Sequence, residues 1–129
     1  MKSIEVVAAI MMHEAKILCV QRGDNKYEYV SRKWEFPGGK VETNEPHENA
    51  IKREIKEELL ADITDCHHFL TVEHQYPDFF LTMHSFLCHM PTEEVTLTEH
   101  IDHRWLQVTE LNFLDWAAAD LPIVEKLQG

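Results

Sequence analysis

Three carboxylates stand at i, i+3 and i+4 in the run Arg53-Glu54-Ile55-Lys56-Glu57-Glu58-Leu59. If the run is helical, Glu54, Glu57 and Glu58 share roughly 100° of arc on one face. Each like-charged pair costs an isolated helix about 0.2–0.5 kcal/mol, and a bound divalent cation is the simplest relief. Carboxylate oxygens suit Mg2+ or Mn2+, the hard ions used where phosphates are handled. Ile51, Ile55 and Leu59 recur at i, i+4 and i+8 beside the acidic face, so one side of the helix packs while the next presents carboxylates. Upstream, Pro37-Gly38-Gly39 is a strong chain breaker. Its two glycines read as a backbone turn that needs positive φ or the close approach of a ligand.

The spacing extends the pattern. Gly39 is followed after five residues by Glu45, and after seven more by Arg53-Glu54. The segment resembles the signature of the Nudix hydrolases, G-x5-E-x7-R-E-U-x-E-E-x-G-U, where U is a bulky aliphatic residue. Two positions depart from it: Leu60 replaces the final glycine and Ala61 is small for the last aliphatic site. The family glycine serves as a left-handed helix cap, and a leucine in that conformation costs about 1–2 kcal/mol. The helix therefore carries that strain, ends differently or runs one residue further.

The resemblance implies roles residue by residue. Glu54, Glu57 and Glu58 are metal ligands, with Glu57 and Glu58 the principal pair, Glu54 also placed to help activate water, and the Gly38 carbonyl a backbone ligand. The implied cofactor is Mg2+, with Mn2+ as the alternative. Arg53 and Glu45 form a structural ion pair that holds the loop on the helix, Arg53 being a rigid bidentate donor. Lys40 and Arg22 contact the phosphates and the nucleotide. Glu99 is a further metal ligand or the general base, with Glu93, Glu94 and Asp102 as rivals. Asp120, in Ala118-Ala119-Asp120-Leu121-Pro122, resembles the CTP pyrophosphohydrolase form of a base-reading position and can accept from an amino group such as cytosine N4. Its other reading is the N-cap of a final helix. Phe36, Tyr76 and Phe80 are candidates for stacking a base and equally candidates for the core.

The expected activity is that of the MutT-like / CTP pyrophosphohydrolase branch: Mg-dependent hydrolysis of a nucleoside triphosphate to the monophosphate and pyrophosphate, on CTP, dCTP or a related modified nucleotide. Another Nudix substrate (oxidised dGTP, ADP-ribose or a dinucleoside polyphosphate) and a non-catalytic nucleotide-binding module are the alternatives.

Composition sets the frame. The 129 residues, 44% apolar, fit one domain spanning 1–129. A net charge of −11 argues against a nucleic-acid polymer as partner. It leaves a free nucleotide open, since a triphosphate arrives with metal. No apolar run reaches membrane-span length, and the N-terminus lacks the form of a signal peptide. Cys19, Cys66 and Cys88 are odd in number and lack CxxC spacing, which points to free thiols in the cytoplasm; Cys19 and Cys88 read as core. The nine histidines, His67-His68 and His100/His103 among them, lack a spaced zinc-ligand set and read as surface or packing residues. The oligomeric state expected is monomer or homodimer.

Strand-type runs occupy Ile4 to Met12, Lys16 to Gln21, Trp34 to Phe36, Asp65 to His74, Phe79 to His89 and His103 to Gln107. His13-Glu14-Ala15 reads as a hairpin turn and Asp24 to Lys33 as a loop. A helix begins near Pro46, a helical turn covers Thr109 to Leu114, and a final helix covers Leu121 to Leu127. Hairpins and crossovers together give an α+β class with a mixed sheet, and the resemblance implies the Nudix-type α/β/α sandwich.

Overall fold

The computed structural model describes residues 2–129. Its strands are β1 (Lys2–His13), β2 (Lys16–Gln21), β3 (Trp34–Glu35), β4 (Gly38–Lys40), β5 (Thr64–Gln75), β6 (Phe79–His89) and β7 (Asp102–Leu106). The helices are α1 (His47–Leu59) and α2 (Leu121–Gln128), with 3-10 turns at Val108–Phe113 and Ala118–Asp120. One mixed sheet runs β3-β2-β1-β6-β5, with β4 paired to β1 and β7 to β2. The β1–β6 pair is parallel and the other pairs are antiparallel.

β1 is the spine because it is apolar on both faces. Val7, Ala9 and Met11 pack with Ala50, Ile51, Ile55 and Leu59 of α1. Ala8 and Ile10 pack on the opposite face with Trp116 and with Ile123 and Val124 of α2. Strand periodicity thus sorts the chain into the two cores of an α/β/α sandwich. Ile51, Ile55 and Leu59 are fully buried, at roughly 2 kcal/mol each. That outweighs the few tenths of a kcal/mol of each acidic repulsion on the same helix. Cys19 and Cys88 lie in the two cores, and burial pushes the Cys19 thiol up to about 12. The β1–β2 turn takes positive φ at Glu14 (46°) and Ala15 (66°), as a two-residue hairpin loop with native twist requires.

The glycine pair departs from expectation. Neither Gly38 nor Gly39 has positive φ. They form β4, antiparallel to β1 with Gly38 opposite Ala8 and Gly39 opposite Val7. A Cβ on Gly38 would overlap the Val7 carbonyl oxygen, and one on Gly39 would overlap the Glu54 carboxylate. The glycines let β1 and α1 approach from opposite sides.

Leu60 does adopt the left-handed conformation, φ 52° and ψ 39°, with its N–H donating to the Lys56 carbonyl. The strain is offset by a segment far along the chain. Thr96 N–H donates to the Leu59 carbonyl and Thr98 N–H to the Glu58 carbonyl. The Thr98 hydroxyl lies 2.9 and 3.0 Å from the Glu57 and Glu58 carbonyl oxygens. Each such bond contributes about 0.5–1.5 kcal/mol, so the three donors together cover the roughly 1–2 kcal/mol of a left-handed leucine. Because Leu60 is 58% exposed, Leu60→Gly loses little packing and is expected to raise stability by about 1 kcal/mol. Urea unfolding checks this; a lower midpoint for the variant would refute the strain argument.

Candidate active site

The cleft lies where β1, β4 and β6 meet the C-terminal half of α1. It has two adjoining parts that share Arg22, Glu35, Gly38 and Gly39. The larger, of about 560 Å³, is acidic: Glu35, Glu54, Glu58 and Glu99 line it, with Arg22 and Lys40. The smaller is largely apolar, lined by Phe36, Tyr76, Phe79, Met83 and Ala119, with Asp120 as the acid it does not share. An anionic chain fits the first once metal is present, and a flat ring fits the second.

α1 supplies the central carboxylates. Glu58 is 7% exposed, and its Oε1 accepts the Gly38 N–H at 3.2 Å. Burial, then the charges of Glu35, Glu99 and Glu54, push its carboxyl up to about 9. Burial also raises Glu54, as do Glu57 and Glu99, against the pull of Arg53. Arg22 is engaged with Glu35 and Arg53 with Glu54, yet both α1 carboxyls stay raised, the electrostatic setting that a hard divalent cation suits. Glu57, expected as a ligand, is not among the residues that line the cleft; its side chain is 58% exposed and lies 3.4 Å from Arg53.

Arg53 organises this arrangement from behind. Its Nε and Nη2 donate to the two oxygens of Glu45 at 2.8 and 2.9 Å, its Nη1 to Glu54 at 2.9 Å, and its Nη2 also to the Lys40 carbonyl at 3.0 Å. The fork therefore ties the 40–45 loop to the helix and fixes the Glu54 rotamer. Its hydrogen bonds, with the Glu42 N–H, hold Glu45 down to about 2.

Glu99 reaches the cleft because Thr98 docks on the last carbonyls of α1. Of its rivals, Glu93, Glu94 and Asp102 are exposed and do not line the cleft; Asp102 instead accepts the His103 N–H.

Two residues escaped the sequence reading. Glu35 accepts from Arg22 Nη2 at 2.8 Å and sits 2.9 Å from His100 Nε2. Burial raises its carboxyl, but these two partners outweigh burial and hold it below the usual range. His100, read as a surface or packing residue, has a side chain only 5% exposed, and its Nδ1 is buried without a hydrogen-bond partner among the described residues. The partners lie 13 and 65 positions from Glu35, so no local pattern reveals them. The one available signal was Glu35 itself, an acid inside a short apolar strand.

Asp120 does not cap α2 with its side chain. Its Oδ1 accepts the Phe36 N–H at 3.1 Å instead. Burial, then Glu35, raise its carboxyl well above the ordinary aspartate range, against the pull of Phe36 and Arg22. A protonated Asp120 offers one O–H donor besides its acceptors. Phe36 is buried against Trp116, centroids 4.7 Å apart, and Tyr76 accepts the Ala119 N–H through its hydroxyl oxygen. Phe80 is absent from the cleft: Phe79 lines it, because neighbouring strand residues point to opposite faces.

A sequence model of the NUDIX domain matches residues 2–127. The chain is 34% identical to the CTP pyrophosphohydrolase of Escherichia coli (strain K12), covering 97% of this chain and 91% of that protein. It is 30% identical to the 8-oxo-dGTP diphosphatase of the same organism, covering 99% and 98%. The solution structure of the DNA mismatch repair protein MutT (family Nudix hydrolase) from methicillin-resistant Staphylococcus aureus 252 superposes with a TM-score of 0.73 at 41% identity, covering 99% of this chain and 98% of that one.

Proposed function

This chain belongs to the NUDIX domain family and is a Nudix hydrolase acting on nucleotides, and from that premise we propose that it cleaves a pyrimidine nucleoside triphosphate, CTP or dCTP, to the monophosphate and pyrophosphate. One observation carries the reading: an acidic cleft of phosphate-and-metal character opens directly into a largely apolar pocket in which Asp120 is the charged residue not shared with the acidic part. Among the described residues no helix is long and apolar enough to cross a membrane, and the odd, unspaced cysteines support the cytoplasm, where free nucleotides are met.

The donor set fits Mg2+ or Mn2+, being oxygen from Glu54, Glu57 and Glu58 and from the Gly38 carbonyl. When bound, the metal supplies charge neutralisation on the phosphoryl oxygens and a more acidic water. The protein does the rest. Lys40 lines the phosphate side of the cleft. Arg22 spends Nε and Nη2 on Glu35 and offers Nη1 to a phosphate oxygen. Glu99 takes the proton of the attacking water on a carboxylate oxygen. Water adds at the β-phosphorus, the bond to the bridging oxygen breaks, and that oxygen leaves on the monophosphate. Phe36 and Tyr76 border the base, and Asp120 reads its edge through the oxygen not used by the Phe36 N–H.

The relative named 8-oxo-dGTP diphosphatase, together with a protonated Asp120 able to donate as well as accept, supports an oxidised purine as the second reading. The test is kcat/KM with Mg2+ on CTP, dCTP, 8-oxo-dGTP, dGTP and ADP-ribose. The expected result is a cytosine triphosphate ahead of dGTP by tenfold or more, since one well-made base contact is worth roughly 1–3 kcal/mol. If 8-oxo-dGTP leads, the base assignment fails and the reaction class stands. If none is turned over, the reaction class fails.

A further inference from the structure

Outside the cleft, on the α1 side of the sheet, three side chains from distant parts of the chain converge. Glu5 comes from β1, His84 from β6, and His47 is the first residue of α1. Glu5 Oε2 lies 2.9 Å from His84 Nε2 and 3.5 Å from His47 Nε2. The two imidazoles stack with centroids 4.0 Å apart. One ligand atom from each residue falls within 4.8 Å of the other two. Atoms held 2.0–2.1 Å from a tetrahedral ion stand about 3.3 Å apart, so the observed separations bracket what one ion requires. We propose that Glu5, His47 and His84 form a second divalent-metal site, distinct from the cleft and selective for zinc or another late first-row ion.

The surroundings of His84 support this. Its Nδ1 lies 3.0 Å from the Thr71 hydroxyl, which lies 2.7 Å from His68 Nε2. When Thr71 donates to His68, the His84 Nδ1–H donates to Thr71, and His84 Nε2 presents a bare lone pair to Glu5. Two acceptors 2.9 Å apart repel unless a proton or a metal cation lies between them. When the chain of bonds runs the other way, Nε2–H donates to Glu5, and the incoming metal replaces that proton. A hydroxyl on the far ring nitrogen is the outer-shell partner that orients ligating histidines. The side chains of His84, His47 and Glu5 are 15%, 38% and 50% exposed. The site is closed by protein on one side and open to water for a fourth ligand on the other.

Donor chemistry separates this site from the cleft. All-oxygen donors favour Mg2+, while two imidazoles and a carboxylate favour the upper end of the Irving–Williams series. The ion pins the start of α1 to the two central strands. His47 precedes Glu54 by seven residues, about 10 Å along the helix, so the pin steadies the element that carries the catalytic carboxylates.

The test is titration of Zn2+ into protein held in excess Mg2+, by calorimetry and metal counting, with melting curves alongside. The expected result is one tight Zn2+ per chain and a higher Tm. Glu58→Gln binds Zn2+ as the parent does. His47→Asn with His84→Gln lowers the affinity by about 100-fold or more, and Thr71→Val by about tenfold. Should the double variant fail to fold, Glu5→Gln and His47→Asn, at half-exposed positions, carry the same expectation singly. A parent that binds no Zn2+, or variants at these three ligands that bind it as tightly as the parent, would overturn the proposal.

Discussion

Glu58→Gln is expected to lower kcat by about 10³-fold, roughly 4 kcal/mol of transition-state stabilisation, without loss of fold. The exchange keeps the size of the side chain and its bond to the Gly38 N–H. It removes the negative charge that a metal requires. Stability is expected to move the other way. The folded carboxyl is pushed from 4.5 up to about 9, so the folded state holds a proton that the unfolded chain has lost over that window. Parent stability therefore falls as pH rises through it, and the glutamine escapes this penalty. In metal-free melting curves the variant should match or exceed the parent, by a margin that widens from pH 5 towards pH 9. Melting together with activity distinguishes a lost ligand from a damaged fold. Retained kcat in a folded variant would remove Glu58 from the site.

The half-saturating Mg2+ concentration is expected to fall by about tenfold for each unit that pH rises towards about 9, near 100-fold from pH 6.5 to 8.5. The direction follows from the same carboxyl. Metal must displace the proton on Glu58, whose affinity for that proton is raised by burial and by the nearby charges of Glu35, Glu99 and Glu54. Glu54 is raised in the same direction, chiefly by burial. The anchor behind it contributes nothing here, because Arg53 keeps Glu45 ionised down to about 2. Metal titrations of the initial rate at several pH values check this. A half-saturation point independent of pH would mean that the ligands are already ionised.

The sequence made some parts of this site legible and hid others for physical reasons. The α1 stripe and its acidic face follow from a period of 3.6, and β1 from an apolar run long enough for two cores. β4 was hidden because glycine has low strand propensity; only the backbone of β1 and the Glu54 carboxylate reveal what it makes room for. Leu60 broke the motif, and what compensates it, Thr96 and Thr98, lies some forty residues away. Those threonines also explain why Glu99, rather than Glu93 or Glu94, reaches the cleft. Glu35 and His100 meet only through the fold. Phe80 is the wrong aromatic of its pair: Phe79 shares the cleft face with Leu81 and Met83, and Phe80 takes the other face of the strand.

The claim at the centre is that the α1 carboxylates and the Gly38 carbonyl hold the metal beside a triphosphate. A crystal structure with Mg2+ and a non-hydrolysable CTP analogue tests it most directly. Metal is predicted about 2.0–2.1 Å from oxygens of Glu54, Glu57, Glu58 and Gly38, and from the analogue's phosphates, with the base beside Phe36 and Asp120. Phosphates and metal bound away from these four residues would contradict the account.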